Sequence, residues 1–250
     1  MHRFLPVALL TLLLSVPAAF SQAKTRPFYY SRLNSFGFFG EYSNNSSHIL
    51  LGVTQNRKLL DFGGFYSRRI LLNHIVDGQY MAELRPVMLE SDPLFHETTV
   101  VTSPPSIAGT YENDLTFAEA CHPFSKTFTT VIEGMTYSST ETISCKHRQW
   151  TFGEGFSPIG FKANFLPRHR LQPVFTALAG YMFSTRPIPV VDAGSWNFTF
   201  EAGAGFELYR SARRSIRAEY LLHHISNDYT ANTNPGIDSQ MIQITYAFGR

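Results

Sequence analysis

The feature that most constrains this chain is an alternation of apolar and polar residues with a period of two, which recurs in segments along most of the sequence. Successive side chains of a β-strand point to opposite faces, so this period predicts strands rather than helices. The pattern is clearest at the end of the chain, where every second residue is apolar: Ile242, Ile244, Tyr246 and Phe248. Such a strand can place one face in hydrocarbon and the other in a polar lumen.

Segments of this kind recur often enough to close a barrel. We predict eight strands: Ser35–Ser43, Lys58–Leu72, His74–Met88, Thr151–Leu166, Leu171–Thr185, Trp196–Tyr209, Arg214–Asn227 and Ser239–Phe248. The segment His48–Thr54 is either a further short strand or part of the first loop. A content of 14% aromatic residues suits strands that carry girdles of aromatic side chains at a membrane interface.

The connections between these strands alternate in length. Short connections lie near Asn73, at Pro167–Arg170 and at Arg210–Arg213. The others are long: Asn44–Arg57, Leu89–Trp150, Arg186–Ser195 and Asp228–Asp238. This alternation is typical of the tight periplasmic turns and extended external loops of outer-membrane barrels. The sequence therefore predicts an all-β fold, an eight-stranded antiparallel transmembrane β-barrel with long external loops. The alternative is a soluble barrel, whose apolar residues would point inward.

The first residues have the composition of a cleavable signal peptide. The basic residues His2 and Arg3 precede the apolar run Phe4–Ala19, and small residues occupy the −3 and −1 positions at Ser21-Gln22-Ala23. We expect residues 1–23 to be removed on export and residues 24–250 to form the barrel in the outer membrane of a Gram-negative cell. A retained N-terminal anchor is the alternative.

Charge and cysteine content exclude several classes of partner. The formal net charge is +2 and no basic block is present, so nucleic acid is not expected as a partner. Cys121 and Cys145 are the only two cysteines, and in an exported chain such a pair predicts a disulfide that closes one loop. The histidines near them are scattered without the spacing of a zinc site, so we assign no metal.

The connection Leu89–Trp150 is the least informative part of the chain. It is rich in Thr and Ser and contains both cysteines. We expect an external loop insertion, or alternatively two strands extended beyond the membrane and closed by the disulfide. A connection of this length is usually functional or flexible.

Three polar residues share the apolar face of the last two predicted strands. Continuing the alternation of strand seven puts His224 and Ser226 on that face, at the outer end, and Asp238 has the same parity in strand eight. A serine, an imidazole and a carboxylate gathered there have the chemistry of an activated nucleophile with an oriented base. The following residue, Asn227, could supply an amide to an oxyanion hole.

The sequence around these residues resembles a known family. His224-Ile225-Ser226-Asn227, followed by Asn234-Pro235-Gly236-Ile237-Asp238, is similar to the active-site hairpin of the outer-membrane lipid A 3-O-deacylases of the PagL (acyloxyacyl hydrolase) type. The resemblance implies that Ser226 is the nucleophile, His224 the base, Asp238 the orienting acid and Asn227 part of the oxyanion hole. It also implies hydrolysis of an ester-linked acyl chain of lipid A, with lipopolysaccharide as substrate and no cofactor.

The chain departs from the family pattern in three places. Asp238 replaces the glutamate of the best-known members and is one methylene shorter. Asp228-Tyr229 follows Ser226-Asn227 where small residues are usual, and the insertion Leu89–Trp150 has no counterpart in compact members.

Two other functions are compatible with a barrel of this size. One is a non-catalytic structural or adhesive outer-membrane protein whose long loop binds a partner. The other is a narrow pore, which is disfavoured because side chains usually fill the interior of eight-stranded barrels. The sequence does not indicate which acyl ester is cleaved, and it leaves the oligomeric state open.

Overall fold

The chain folds into one antiparallel sheet, which a computed structural model describes for residues 28–250. The strands are β1 (Asn34–Ser43), β2 (Lys58–Leu72), β3 (Val76–Ser103), β4 (Gly109–Leu115), β5 (Phe124–Ile132), β6 (Met135–Phe165), β7 (Leu171–Ser184), β8 (Trp196–Ser211), β9 (Arg214–Ser226) and β10 (Ile237–Gly249). The predicted signal peptide lies outside these residues. Within residues 28–250, no helix has the length and apolar character that a membrane span requires.

Eight of the strands close into a ring. Following the hydrogen-bonded pairs leads from β3 through β2, β1, β10, β9, β8 and β7 to β6, and a pairing between β3 and β6 completes the circle. The predicted eight-stranded antiparallel barrel is therefore confirmed. Its strands correspond one to one with the predicted segments, and most of their ends agree within three residues.

The wall of the barrel is apolar outside and polar inside. On β10 the outward residues Ile242 and Ile244 are 61% and 53% exposed, whereas Gln243 between them is 1% exposed. The lumen contains buried charged residues from several strands, including Arg85, Glu201 and Arg217. A soluble barrel would have the reverse arrangement, so that alternative is wrong, and the observed one is typical of barrels that cross a membrane.

Buried ion pairs fill the inner end of the lumen. Glu207 on β8 accepts hydrogen bonds from Arg32 at 2.7 Å, from Lys162 at 3.1 Å and from Asn164 at 2.8 Å. Glu207 has two opposite charges within hydrogen-bond distance, which is the condition under which burying charge is tolerated. Because these partners come from the N-terminal segment and from β6, they tie distant strands together across the interior.

The long connection Leu89–Trp150 is largely strand. β3 and β6 continue beyond the ring and remain paired, with Glu97 opposite Ile143, and β4 and β5 flank them. Predicted strand three should therefore end at Ser103 and predicted strand four should begin at Met135. We call the part formed by residues 95–144 the extension. The alternative of two extended strands closed by the disulfide is therefore confirmed. Strands β4 and β5 were not predicted, because β5 is exposed at every position and β4 at every position but one, so no apolar face marks them.

A disulfide fastens the extension. Cys121, in the link between β4 and β5, is bonded to Cys145 on β6, and the Cα atoms are 5.8 Å apart. The link is thereby held against β6 near the outer mouth of the barrel.

Candidate active site

A histidine and an aspartate meet on the outward face of the last two barrel strands. His224 on β9 and Asp238 on β10 are directly opposite in the strand register, and His224 Nδ1 lies 2.6 Å from Asp238 Oδ1. They share this face with Tyr220 and Ile242, which are exposed. The hydrogen bond holds the ring with Nε2 free to act as a base, as in a serine hydrolase triad.

The second oxygen of Asp238 is held by backbone amides from another loop. Asp238 Oδ2 accepts hydrogen bonds from the N–H groups of four consecutive residues, at distances of 3.3, 2.6, 2.9 and 2.9 Å: Ile49, Leu50, Leu51 and Gly52. A concave run of amides is a favourable site for a carboxylate. The shorter acid therefore still reaches His224, because this amide nest anchors it from above.

The amide nest belongs to the first external loop. Its segment is not a strand, but an isolated bridge pairs Thr54 with Ile237 at the start of β10. A methyl group on Gly52 would lie 2.6 Å from Asp238 N and 2.8 Å from Ile237 C, closer than real Cβ atoms approach other atoms. Glycine is required here by the close approach of two backbones. The sequence did not predict the role of this loop, because almost any residue type can supply a backbone N–H group.

Ser226, the last residue of β9, lies two positions beyond His224 on the same face. Its Oγ donates a hydrogen bond to Asn234 Oδ1 at 3.0 Å and accepts one from Asp228 N at 3.2 Å. Within residues 28–250, no hydrogen bond joins Ser226 to His224. The structure thus brings the histidine and the acid into contact and places the serine beside them with its hydroxyl turned to Asn234.

Asn227 lies next to the same asparagine oxygen. Its backbone N–H donates to Asn234 Oδ1 at 3.1 Å, so the hydroxyl of Ser226 and this amide converge on one oxygen atom. The side chain of Asn227 is buried and donates to Thr233 O at 2.7 Å, which leaves the backbone N–H as its available group. The arrangement can bind an oxygen atom beside the serine hydroxyl, which is what an oxyanion hole requires.

The residues that follow Asn227 form a tight turn. Asp228 and Tyr229 adopt left-handed conformations, with φ of 49° and 57°. The side chain of Tyr229 is 77% exposed, so the larger residues at this point of the family pattern are accommodated at the surface.

Two apolar surfaces lie on either side of the candidate site. Toward the barrel wall, Phe198 and Phe200 on β8 are opposite Ser226 and His224, and both are exposed. Beyond the rim, a cleft of about 580 Å³ adjoins Asn234. The extension, the β7–β8 link and the β9–β10 link contribute its apolar lining: Leu115, Phe117, Val190, Val191, Tyr229 and Pro235.

Comparison with protein-family models gives one match. The model of lipid A 3-O-deacylase (PagL) matches residues 126–247, which include most of β5, all of β6 to β9 and most of β10. His224, Ser226 and Asp238 all fall inside this range. Among curated proteins, a search found no match to the chain.

Proposed function

We propose that this chain is an outer-membrane esterase that hydrolyses an ester-linked acyl chain of lipid A, as the match of residues 126–247 to the lipid A 3-O-deacylase model suggests. The observation that carries the proposal is the 2.6 Å contact between His224 and Asp238, beside Ser226, on the outward face of the barrel. A polar cluster on a surface that faces lipid is costly, and such clusters usually have a function.

The reaction follows the logic of a serine hydrolase. Ser226 Oγ attacks the ester carbonyl while His224 Nε2 takes its proton, and Asp238 stabilises the imidazolium that forms. The C–O bond to the sugar breaks as His224 protonates the leaving oxygen, leaving an acyl group on Ser226. A water molecule, deprotonated by His224, then releases the fatty acid and restores the serine. No cofactor takes part in these steps.

In this scheme, the bound substrate displaces the side chain of Asn234 from Ser226 and Asn227. The hydroxyl of Ser226 must leave Asn234 Oδ1 and turn toward His224, which a rotation about its Cα–Cβ bond allows. The carbonyl oxygen of the ester would then take the place of Asn234 Oδ1 on the N–H of Asn227. A negative charge that develops on this oxygen is stabilised by a donor already in place.

The two apolar surfaces suggest how lipid A is oriented. Its acyl chains would lie along the barrel wall over Phe198 and Phe200, where membrane lipid already is. Its sugar end would then project beyond the rim toward the cleft that Tyr229 and Phe117 line. This placement puts the ester at the boundary between membrane and solvent, which is the level of Ser226.

The proposal includes a location and a substrate. A signal peptide over residues 1–23 would export the chain, and residues 24–250 would insert into the outer membrane, where lipopolysaccharide is present. The matching family consists of lipid A 3-O-deacylases, which suggests that the ester at the 3-O position is cut.

The test is hydrolysis of lipid A by the purified barrel in detergent. We expect the wild-type protein to release fatty acid and Ser226→Ala to release none above background. Ser211→Ala is a matched control, because it removes an exposed hydroxyl at the inner end of β8, the end of the barrel opposite the site. Release by Ser226→Ala at the wild-type rate would contradict the proposal.

The extension favours a second candidate function, that of an adhesive barrel. Its strands β4 and β5 are exposed and lie outside the ring, as a surface for a partner would. This function predicts that replacing residues 95–144 by a short turn abolishes adhesion, while Ser226→Ala leaves adhesion unchanged.

A further inference from the structure

A second histidine on β9 points into the lumen, directly behind the candidate active site. His223 is 1% exposed, and its Nε2 lies 3.3 Å from Oε1 of Glu201, its cross-strand neighbour on β8. Glu41 on β1 completes a group in which one ligand atom from each residue lies within 4.8 Å of the other two. These three residues, which we call the lumen triad, come from three different strands of the barrel.

Several polar atoms in and beside the lumen triad have no hydrogen-bond partner. Within residues 28–250, this holds for both ring nitrogens of His223, for Glu201 Oε1 and for both carboxylate oxygens of Asp61. Asp61 is fully buried and is opposite Glu41 in the register of β1 and β2. Buried polar groups nearly always have a partner, and an ion or a water molecule is the usual explanation when the protein supplies none.

Carboxyl groups outnumber cations around the lumen triad. Arg85 is hydrogen-bonded to Glu41 at 3.1 Å, to Glu83 at 2.7 Å and to Glu201 at 2.6 Å. With Asp61, four carboxylates share this one guanidinium, an excess of three negative charges when all are ionised. The next cation along the lumen, Arg217, is paired with its own carboxylate.

The inner end of the same lumen has no such excess. There Glu207 is within hydrogen-bond distance of both Arg32 and Lys162. Both ends combine arginine with carboxylates, and they differ because the inner end has a second cation, Lys162, for its glutamate. The outer end has the composition of a site that receives a cation from outside.

We propose that Glu41, Glu201 and His223 bind a divalent transition-metal cation, of which Zn²⁺ is the best fit. Zinc accepts imidazole nitrogen and carboxylate oxygen together, whereas calcium and magnesium take oxygen ligands. Tetrahedral zinc with bonds of about 2.1 Å separates its ligand atoms by about 3.4 Å. The 3.3 Å distance between His223 Nε2 and Glu201 Oε1 already fits that geometry.

The neighbouring residues leave suitable atoms for the metal. Arg85 binds Glu201 through Oε2, so Oε1 remains for the cation. Glu41 Oε2 now accepts a hydrogen bond from Gln243 at 3.1 Å, and its Oε1 accepts one from Arg85. Glu41 therefore needs to give up one of these hydrogen bonds to bind the ion, and Asp61, which is opposite Glu41 in the register, is a candidate for a fourth ligand.

The bound cation would join β1, β8 and β9 behind the hairpin that carries His224 and Ser226. Its role in this proposal is structural, because the lumen triad faces away from the outward surface and touches no reacting atom. The inference therefore stands or fails independently of the esterase proposal. A ligand that binds only the folded barrel stabilises it, so zinc should raise the unfolding temperature.

The experiment uses the full mature barrel in detergent, stripped with a chelator and then titrated with Zn²⁺. We expect one zinc per barrel by elemental analysis, a higher unfolding temperature, and X-ray absorption that shows one imidazole among oxygen ligands. His223→Gln and Glu201→Gln should lose this zinc, while Asp61→Asn should bind it about tenfold more weakly. His169→Gln, in an exposed turn, is the matched control and should bind zinc as the wild type does.

Two results would overturn the proposal. One is a wild-type barrel that takes up no zinc after chelation and titration, since this needs no variant to fold. The other is a folded His223→Gln barrel with undiminished zinc content. Fatty-acid release by the wild-type barrel is measured on the same preparations, so failure of the esterase proposal is recognised separately.

Discussion

His223 and His224 are neighbours in one strand and lie in opposite environments. His224 faces outward, where a single carboxylate contacts its Nδ1 and the amide nest holds that carboxylate. His223 faces the lumen, where it lies fully buried against Glu201 with both nitrogens unpartnered among the described residues. One wall of the barrel therefore carries two histidine sites of different chemistry, because successive residues of a strand point to opposite faces. Outside, the geometry suits proton transfer, and inside it suits binding of a cation.

The comparison is tested first by exchanging each histidine for glutamine. We expect His224→Gln to lower kcat for lipid A hydrolysis by about 10⁴-fold or more, because loss of a triad base has effects of that size. His223→Gln should lower the unfolding temperature and change kcat far less. Fatty-acid release and thermal unfolding of both purified barrels check this. If the two variants lose activity equally at a temperature where both are folded, the two histidines do not have the different roles assigned to them.

The acid of the outward site gives the next largest effect. Asp238→Asn should lower kcat by about 10³- to 10⁴-fold, because an amide no longer fixes the tautomer of His224 or stabilises its charge. Asp238→Glu should recover only part of the activity, since the longer side chain no longer matches both His224 and the amide nest of Ile49–Gly52. Steady-state kinetics of the two variants measure this. Full activity in Asp238→Asn would show that the carboxylate has no role.

A smaller effect is expected from a residue that touches no substrate. Gly52→Ala places a methyl group 2.6 Å from Asp238 N, so the amide nest must move away from the acid. A displacement of about 1 Å at a catalytic group can cost about 100-fold, and we expect kcat to fall by 10- to 100-fold, roughly. Gly78→Ala is the control, because its nearest contact would be an ordinary 3.5 Å. Equal kinetics for the two alanine variants would refute the role of the nest.

The smallest effect on hydrolysis is expected from the disulfide. Cys121→Ser with Cys145→Ser opens a loop with a sequence separation of 24, which should destabilise the extension by about 3 kcal/mol. The ring does not depend on this bond, so kcat should change little while proteolysis of residues 95–144 becomes faster. Limited proteolysis followed by activity measurement separates the two. A fall in kcat equal to that of Gly52→Ala would mean that the extension also positions the catalytic groups, which this account does not predict.

The sequence predicted the barrel well because its signal is repeated in every strand. Alternation depends on the two faces of each strand having different solvents, and this holds for all eight ring strands. The same principle explains why β4 and β5 were not predicted, although the extension of β3 and β6 was foreseen as an alternative. Both faces of β4 and β5 meet solvent, so neither strand has a buried apolar face that would mark it.

The candidate site was predictable to a lesser degree. Parity alone put His224, Ser226 and Asp238 on one face, and the two strands carrying them are neighbours in the sheet. The amide nest was not predictable, since any residue type supplies a backbone N–H. The lumen triad was missed for another reason, because Glu41, Glu201 and His223 are far apart in sequence and show no ligand spacing.

The central claim is that Ser226 on the outward face is the nucleophile that deacylates lipid A. The most direct measurement is a mass spectrum of lipid A from Gram-negative cells that carry either the wild-type chain or Ser226→Ala at equal levels in the outer membrane. The account predicts that the wild type removes one ester-linked acyl chain and that the variant leaves lipid A intact. Lipid A shortened equally by both would contradict it.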